Sequence, residues 1–297
     1  MYKKAYGIIE TLAPLHVGAT AGEETGNLNL IFRDQFTQTG IIPGSSIRGR
    51  FRADLREADR DFANLYYGDE GKKGESNATT EAFIKFEYAS IVWIPVFCPG
   101  QPVVHITCPR LLKRYYQIVK TTRTDLPSPN SNEFPKPRQV LLEKHRKTLF
   151  FNLGFIDQLK KNDKLDRWIP PEIEVPPVNL LVVRDTDIGI IHDLALFRQS
   201  RVKLKDDDKV VDSEKGGFFN TEALPEGTIL VSPIAIKPHN EWDDWKQVLE
   251  KEVELNQWQR QDTNLTRELY FGGLESIGFG RCNVTLAGEY FRAGGDQ

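Results

Sequence analysis

The sequence predicts an α+β protein, and three observations support that class. Residues 5–18 and 82–97 have the apolar patterns of strands, whereas residues 45–66 place apolar side chains at helical spacing. Strands and helices follow one another without the regular alternation of a doubly wound parallel sheet. A chain of 297 residues is long enough for one large core or two modest ones.

The remaining elements are predicted from local signals. Residues 45–66 begin after Pro43-Gly44, so Ser45 or Ser46 is expected to cap that helix. Pro109 at a first turn indicates another helix. Further expected elements are strands at 103–107, 178–183, 229–236 and 282–291, helices at 109–119, 154–167 and 240–266, and a proline-rich surface loop at 124–139.

Composition indicates a soluble cytoplasmic protein without a membrane segment. No apolar run approaches the length of a membrane-spanning helix, and the first residues lack a signal-peptide pattern. The three cysteines are unclustered and odd in number, which argues against a disulfide framework. The net charge of −3 disfavours a protein that is basic all over, so any nucleic-acid contact must be local.

The helix that follows Pro43 is the first candidate site. Its N-terminal amides and the hydroxyls of Ser45 and Ser46 suit a phosphate. Arginines repeat along one stripe, and their planar guanidinium groups also suit phosphates; they are Arg48, Arg52, Arg56 and Arg60, with Arg50 beside them. The alternative is a solvated face on which Asp54, Glu57 and Asp59 pair with these arginines.

A glycine-rich loop at 272–280 is the second candidate. Its glycines, Gly273 and Gly278 among them, let bare backbone approach a ligand closely, and Arg281 follows directly. A tight turn before a strand is the alternative interpretation. The glycine spacing does not match a nucleotide-binding fingerprint.

Few residues suit metal or acid–base chemistry. No histidine or cysteine pair has metal-ligand spacing, so no metal site is predicted. His16 is the one histidine beside a motif, and a structural role is its simplest interpretation. Glu23 and Glu24 lie in a polar loop, where exposure to solvent is the default.

Taken in order, several segments resemble the RAMP superfamily of CRISPR proteins, most closely the repeated backbone subunit of type III-B (Cmr-type) effector complexes, with the Csm-type subunit next. The resemblance covers almost the whole chain. The segments that carry it are 14–18, 31–34, 39–49, 67–69, 93–96, 107–109, 112–114, 201–204, 218–222, 224–228 and the glycine loop.

The resemblance implies a ferredoxin-like (RRM-like) palm with a projecting β-hairpin thumb. The palm would comprise 1–183, with insertions near 60–80 and 120–175, and 223–297; the thumb would be 184–222. Family members bind guide RNA (crRNA) and target RNA and assemble with copies of themselves and other effector subunits. The implied RNA contacts are His16, Ser45, Ser46, Arg48, Arg50, Arg52, Gly273, Gly278 and Arg281, with Phe197, Arg198 and Arg201 in the thumb.

The chain departs from the family at one position. Active members carry an aspartate shortly before the pair that corresponds to Arg33-Asp34, and it promotes metal-dependent cleavage of target RNA. That position falls on Leu28, which has no ligand or proton to offer. Glu24 and Glu23 are the candidate substitutes, and with Asp34 they keep a cleavage role open. Mg²⁺ or another divalent cation is expected only if the chain cleaves RNA.

The leading prediction is therefore a guide-RNA-binding backbone subunit of a type III CRISPR antiviral effector. The first alternative is that the same subunit is the metal-dependent target-RNA endoribonuclease. The second is a repeat-processing CRISPR endoribonuclease with His16 as general acid–base. Regularly spaced cuts that require magnesium would identify the first alternative, and metal-free repeat cleavage the second.

Overall fold

The computed structural model describes residues 2–18, 28–68, 81–144, 146–202, 218–238, 245–254 and 258–292. The helices are α1 (Gly44–Ala58), α2 (Arg60–Tyr67), α3 (Pro109–Val119), α4 (Ile188–Ala195), α5 (Trp245–Glu254) and α6 (Glu289–Arg292). The strands are β1 (Lys3–Thr11), β2 (Leu28–Asn29), β3 (Ile41–Ile42), β4 (Ile84–Phe86), β5 (Ala89–Phe97), β6 (Val103–Thr107), β7 (Gln139–Leu141), β8 (Leu149–Phe151), β9 (Gly154–Ile156), β10 (Lys160–Lys161), β11 (Leu180–Val182), β12 (Phe197–Val202), β13 (Phe218–Ala223), β14 (Ile229–Ile236), β15 (Gln259–Gln261), β16 (Asn264–Tyr270) and β17 (Arg281–Ala287).

One large, mostly antiparallel sheet organises the described part of the chain. Its order is β10-β7-β11-β6-β5-β14-β1-β17-β16-β15, with β3 on β5 and β4 on β14. A smaller sheet has the order β12-β13-β2. The predicted α+β class is confirmed, as a mixed fold dominated by this sheet.

Strand β1 shows why the sheet is covered on both faces. Ile8 and Ile9 are both 1% exposed, and successive strand residues point to opposite faces. Ile9 packs in the cluster that contains Phe51 of α1 and Trp245 of α5, whereas Ile8 packs with Tyr115 of α3. Helices α1 and α5 therefore share one face, and α3 covers the other.

The predicted helix at 45–66 is two helices. Asp59 is extended (φ −152°, ψ 107°), and its carboxylate accepts hydrogen bonds from the amides of Asp61 and Phe62 at 3.0 and 3.1 Å. Asp59 thus ends α1 and caps α2. The apolar spacing continues across this break, which explains why it reads as one helix.

Two other helix predictions are wrong in part. Residues 154–167 form the short strands β9 and β10 and enter a 3-10 helix at Leu165–Trp168. Within 240–266 the helix α5 is present, but the segment after it forms β15 and the start of β16. The strands in both segments are stabilised by pairing with other strands. Their local sequence patterns do not predict them.

The hairpin expected at 184–222 begins later than predicted. Its described strands are β12 and β13, which pair in the register Phe197↔Ala223. Residues 188–195 instead form α4, whose Ile188 and His192 are fully buried against the core. β2 adds in parallel to β13, so the segment at 28–29 lies at the hairpin base.

Candidate nucleic-acid interface

A cleft of about 460 Å³ separates α1 from the glycine loop. Residues of both segments line it, among them Gly18, Ser46, Gly49, Arg50, Gly272 and Gly273. The prediction that the two segments meet in space is confirmed. The cleft brings together glycine backbone, one face of a basic helix and the acidic residue Glu275.

The glycine loop is fixed to the chain segment that follows β1. The amide of Gly273 donates to the carbonyl of His16 at 3.1 Å, and that of Gly280 donates to Pro14 at 2.9 Å. Gly272 has a φ of +78°, and a Cβ there would overlap the His16 carbonyl oxygen. This glycine is required by the fold itself.

Two other glycines at the cleft have no such structural reason, since a Cβ on Gly49 or Gly273 would meet nothing within 4 Å. Gly278 does not line the cleft, and its φ of +89° itself favours glycine. Gly49 lies inside α1, where glycine costs up to about 1 kcal/mol relative to alanine. Sequence reasoning missed Gly49, although a glycine inside a helix is itself a signal.

The start of α1 differs from the prediction. The helix begins at Gly44, the N-cap is Pro43, and no side chain caps it, so the predicted serine cap is wrong. A Cβ on Gly44 would overlap the Phe86 carbonyl, which explains a glycine at this point. Ser45 is exposed and Ser46 lines the cleft, so both hydroxyls remain on the surface side.

The arginines of α1 do not form one stripe. Arg48 is exposed, and Arg50 reaches the cleft while pairing with Asp54 at 2.7 Å. The Arg50 Nε is shielded and has no hydrogen-bond partner among the described residues. Arg52 is only 6% exposed, so its burial argues against the predicted RNA contact, and Arg52 is left out of the interface.

His16 has a structural position under the cleft. It is 7% exposed, and its Nδ1 lies 2.7 Å from the carbonyl oxygen of Glu222, to which it donates. Its own carbonyl holds Gly273. His16 therefore connects the hairpin strand β13 with the glycine loop, and its ring is not presented as an exposed contact.

The base of the hairpin is fixed by charge. Glu222, 2% exposed, accepts from Arg33 at 3.0 Å and from Arg198 at 3.0 Å. Arg33 also pairs with Asp193 of α4 at 2.5 Å. Desolvation opposes protonation of Arg33, but its two acidic partners raise its pKa overall. Arg198 is thus held by this network rather than free to clamp RNA.

The other predicted hairpin and loop residues have defined positions. The Phe197 ring contacts that of Phe279 in a T-shaped pair with centroids 5.9 Å apart, so the hairpin base touches the glycine loop. The backbone of Arg201 pairs with Phe219 within the hairpin. Arg281 is exposed and lies 3.8 Å from Glu268 on the neighbouring strand.

The described residues do not supply a magnesium site. The backbone of Leu28 pairs with Asn220, and leucine has no ligand atom. The Asp34 carboxylate is occupied in a turn, because it accepts from the amides of Phe36 and Thr37 at 3.1 and 2.8 Å. Glu23 and Glu24 lie outside the described residues, and no group of three potential metal ligands occurs within them.

The described helices, the cysteines and a sequence search give three further findings about this chain. None of its described helices is long and apolar enough to cross a membrane. The three cysteines are buried free thiols. A search of curated protein sequences gives no match.

Solved structures with the same fold include two kinds of CRISPR protein. The chain is similar to one in a type III-B Cmr-beta complex bound to cognate target RNA, with 22% identity, a TM-score of 0.68, and coverage of 96% of this chain and 97% of that one. It is also similar to oligomeric Cmr4 from Pyrococcus furiosus, with 19% identity, a TM-score of 0.61, and coverage of 95% and 98%.

The family comparison agrees with the fold. The model of the RAMP superfamily matches residues 8–283, which is most of the chain. The chain belongs to the RAMP superfamily.

Proposed function

We propose that this protein is a guide-RNA-binding backbone subunit of a type III-B-like CRISPR effector complex. The observation that carries the proposal is the cleft between α1 and the glycine loop. Gly49 and Gly273 leave space that packing does not require, and the partly exposed Arg50 lines the same cleft. A phosphate backbone has the charge and the size to enter such a cleft.

A ferredoxin-like palm is part of the proposal. The four central strands have the order β5-β14-β1-β17 and are antiparallel throughout. Along the chain they alternate with α1, between β1 and β5, and with α5, between β14 and β17. Both helices pack on one face. A ferredoxin-like fold has the same β-α-β-β-α-β order, and this likeness supports the proposed palm.

The hairpin β12–β13 is the proposed thumb. The ion-pair network around Glu222 fixes its base to the loop at Arg33 and to α4. The contact of Phe197 with Phe279 joins the same base to the glycine loop. A thumb anchored in this way keeps a constant distance from the cleft, as regular spacing along a guide strand requires.

The expected partners are guide RNA, target RNA, other effector subunits and further copies of this chain. The relative in the Cmr-beta complex bound to cognate target RNA supports these partners. Phosphate contacts would position the strand, while base pairing between guide and target reads sequence. Cleavage is not part of the proposal, because the described residues provide no metal ligands at the position of Leu28.

The proposal is tested on the assembled complex. We expect the protein to copurify with RNA of defined length, and its RNA affinity to fall steeply with salt and to be independent of base sequence. Affinity that ignores salt, or a strong preference for one sequence, would contradict a backbone role.

A further inference from the structure

A second pocket lies apart from the cleft, on the side of the sheet that α3 covers. Its volume is about 650 Å³, within the range of small-molecule sites. It shares no lining residue with the cleft. Its walls are one face of α3, the link between β4 and β5 at Tyr88, the turn at 34–37 and the loop at 129–134.

Three cations of α3 point into this pocket. Arg110, Lys113 and Arg114 are at positions i, i+3 and i+4, which places them on one helix face. The Arg114 Nε donates to Ser90 at 2.9 Å. Within the described part of the chain, neither Arg110 nor Lys113 forms an ion pair, so both keep donors for a ligand.

Two aromatic rings accompany the arginines. The Arg110 guanidinium lies over the Phe36 ring at 4.9 Å, and that of Arg114 lies over Tyr88 at 4.1 Å. Phe36 is 72% exposed, so the core gains little from it. An exposed phenylalanine beside an arginine offers a flat surface on which a base can stack.

The acidic groups of the pocket already have structural partners. Asp185 accepts from the amide of Arg110 at 2.9 Å and thereby fixes the start of α3. Asp34 accepts from the amide and hydroxyl of Thr37 at 2.8 and 2.9 Å. Burial opposes ionisation of Asp34, but these hydrogen bonds lower its pKa overall. Both carboxylates therefore position the cations and the ring. Among the lining residues three cations face two anions, and Arg114 also lies 3.7 Å from Glu87 outside the lining.

We propose that this pocket binds one nucleotide of a single-stranded RNA, with the base against Phe36 or Tyr88 and the phosphate at Arg110 and Lys113. This inference rests on the proposed RNA-binding function and adds a second contact to it. Paired aromatic and cationic groups favour a nucleotide over an acidic peptide, since a peptide carboxylate has no use for the exposed ring.

The test is crosslinking of the full chain to a 4-thiouridine-substituted single-stranded RNA, with the crosslinked peptides mapped by mass spectrometry. We expect crosslinks at Phe36 or Tyr88 as well as at the cleft. Phe36→Ala and Lys113→Glu should each remove the pocket crosslinks and weaken binding about fivefold or more.

Matched controls separate the pocket from general effects. Phe155→Ala removes a ring on β9 that is 63% exposed, and Lys120→Glu reverses an exposed charge at the end of the same helix. Both should bind RNA like the wild type. Thermal unfolding of every variant checks that the fold is intact.

Three results would overturn the inference. Crosslinks confined to the cleft, with unchanged affinity in both pocket variants, would remove the pocket alone and leave the proposed function standing. The second result is that the wild type binds a glutamate decapeptide, whereas Lys113→Glu loses this binding but keeps its RNA crosslinks. This result would assign the pocket to an acidic partner. Absence of any RNA binding by the wild type would end both proposals.

Discussion

The carbonyl oxygen of His16 accepts a hydrogen bond from the amide of Gly273 at 3.1 Å. This contact joins the segment after β1 to the glycine loop, and it works because the preceding residue, Gly272, has no side chain in the way. Backbone groups of the segment after β1 and of the glycine loop therefore meet directly beside the cleft. Its shape depends on neighbouring glycines that have different tasks.

The first prediction separates those tasks. Gly272→Ala should destabilise the protein by about 2 kcal/mol or more, because alanine at a φ of +78° is strained and its Cβ overlaps the His16 carbonyl. Gly273→Ala is the control, since a Cβ there meets nothing. Thermal unfolding measures both. Equal losses of stability would show that the two glycines do not differ as described.

The second prediction concerns Gly49. Gly49→Ala should stabilise the protein by about 0.5–1 kcal/mol, because the substitution favours α1 and meets no neighbour. Denaturant unfolding at constant m-value measures the gain. A loss of stability would mean that the space beside Gly49 is filled in the folded protein.

The third prediction concerns the base of the hairpin. Glu222→Ala should cost about 2–3 kcal/mol, below the range for fully buried pairs because Arg33 and Arg198 are partly exposed. Hydrogen exchange should quicken in β12 and β13. Glu268→Ala, which removes an exposed partner of Arg281, should cost at most about 1 kcal/mol. If the two variants behave alike, Glu222 does not anchor the hairpin.

The fourth prediction is a pH dependence at Glu172. Burial raises the pKa of this carboxyl, and its Oε2 has no hydrogen-bond partner among the described residues, although Oε1 accepts from Tyr6 at 2.9 Å. A raised pKa in the folded state favours the protonated form. The ionised form therefore destabilises the fold as pH rises above the usual glutamate range.

Glu172→Gln removes that ionisation. The melting temperature of the variant minus that of the wild type should be more positive at pH 8 than at pH 5, since the penalty exists only where Glu172 is charged. The exposed Glu226→Gln should show no such trend. A difference that is constant across this range would rule out a titrating Glu172.

Sequence patterns predicted the elements whose signals are local. The strand at 103–107 and the helix at 109–119 lie where they were expected, because alternation and an N-terminal proline mark them. The break at Asp59 was missed, since apolar spacing continues through it. The strands β15 and β16 were missed because they are stabilised by pairing with each other and with β17.

The candidate site was likewise predicted only where its signals are local. The glycine loop and α1 were found from their composition, and they do meet. Burial of Arg52 depends on tertiary packing, and the ion pair of Arg198 with Glu222 depends on the register of β12 against β13. A helical repeat or a single strand encodes neither. The pocket at Arg110 and Phe36 likewise joins segments that are far apart in sequence.

The most direct test of the account is the RNA affinity of Gly49→Glu compared with Ala58→Glu. Both variants add one carboxylate to exposed positions of α1, but Gly49 lines the cleft and Ala58 ends the helix. We expect about a tenfold loss of affinity for Gly49→Glu and less than about a twofold loss for Ala58→Glu. Equal affinities for the two variants would contradict an RNA strand in the cleft.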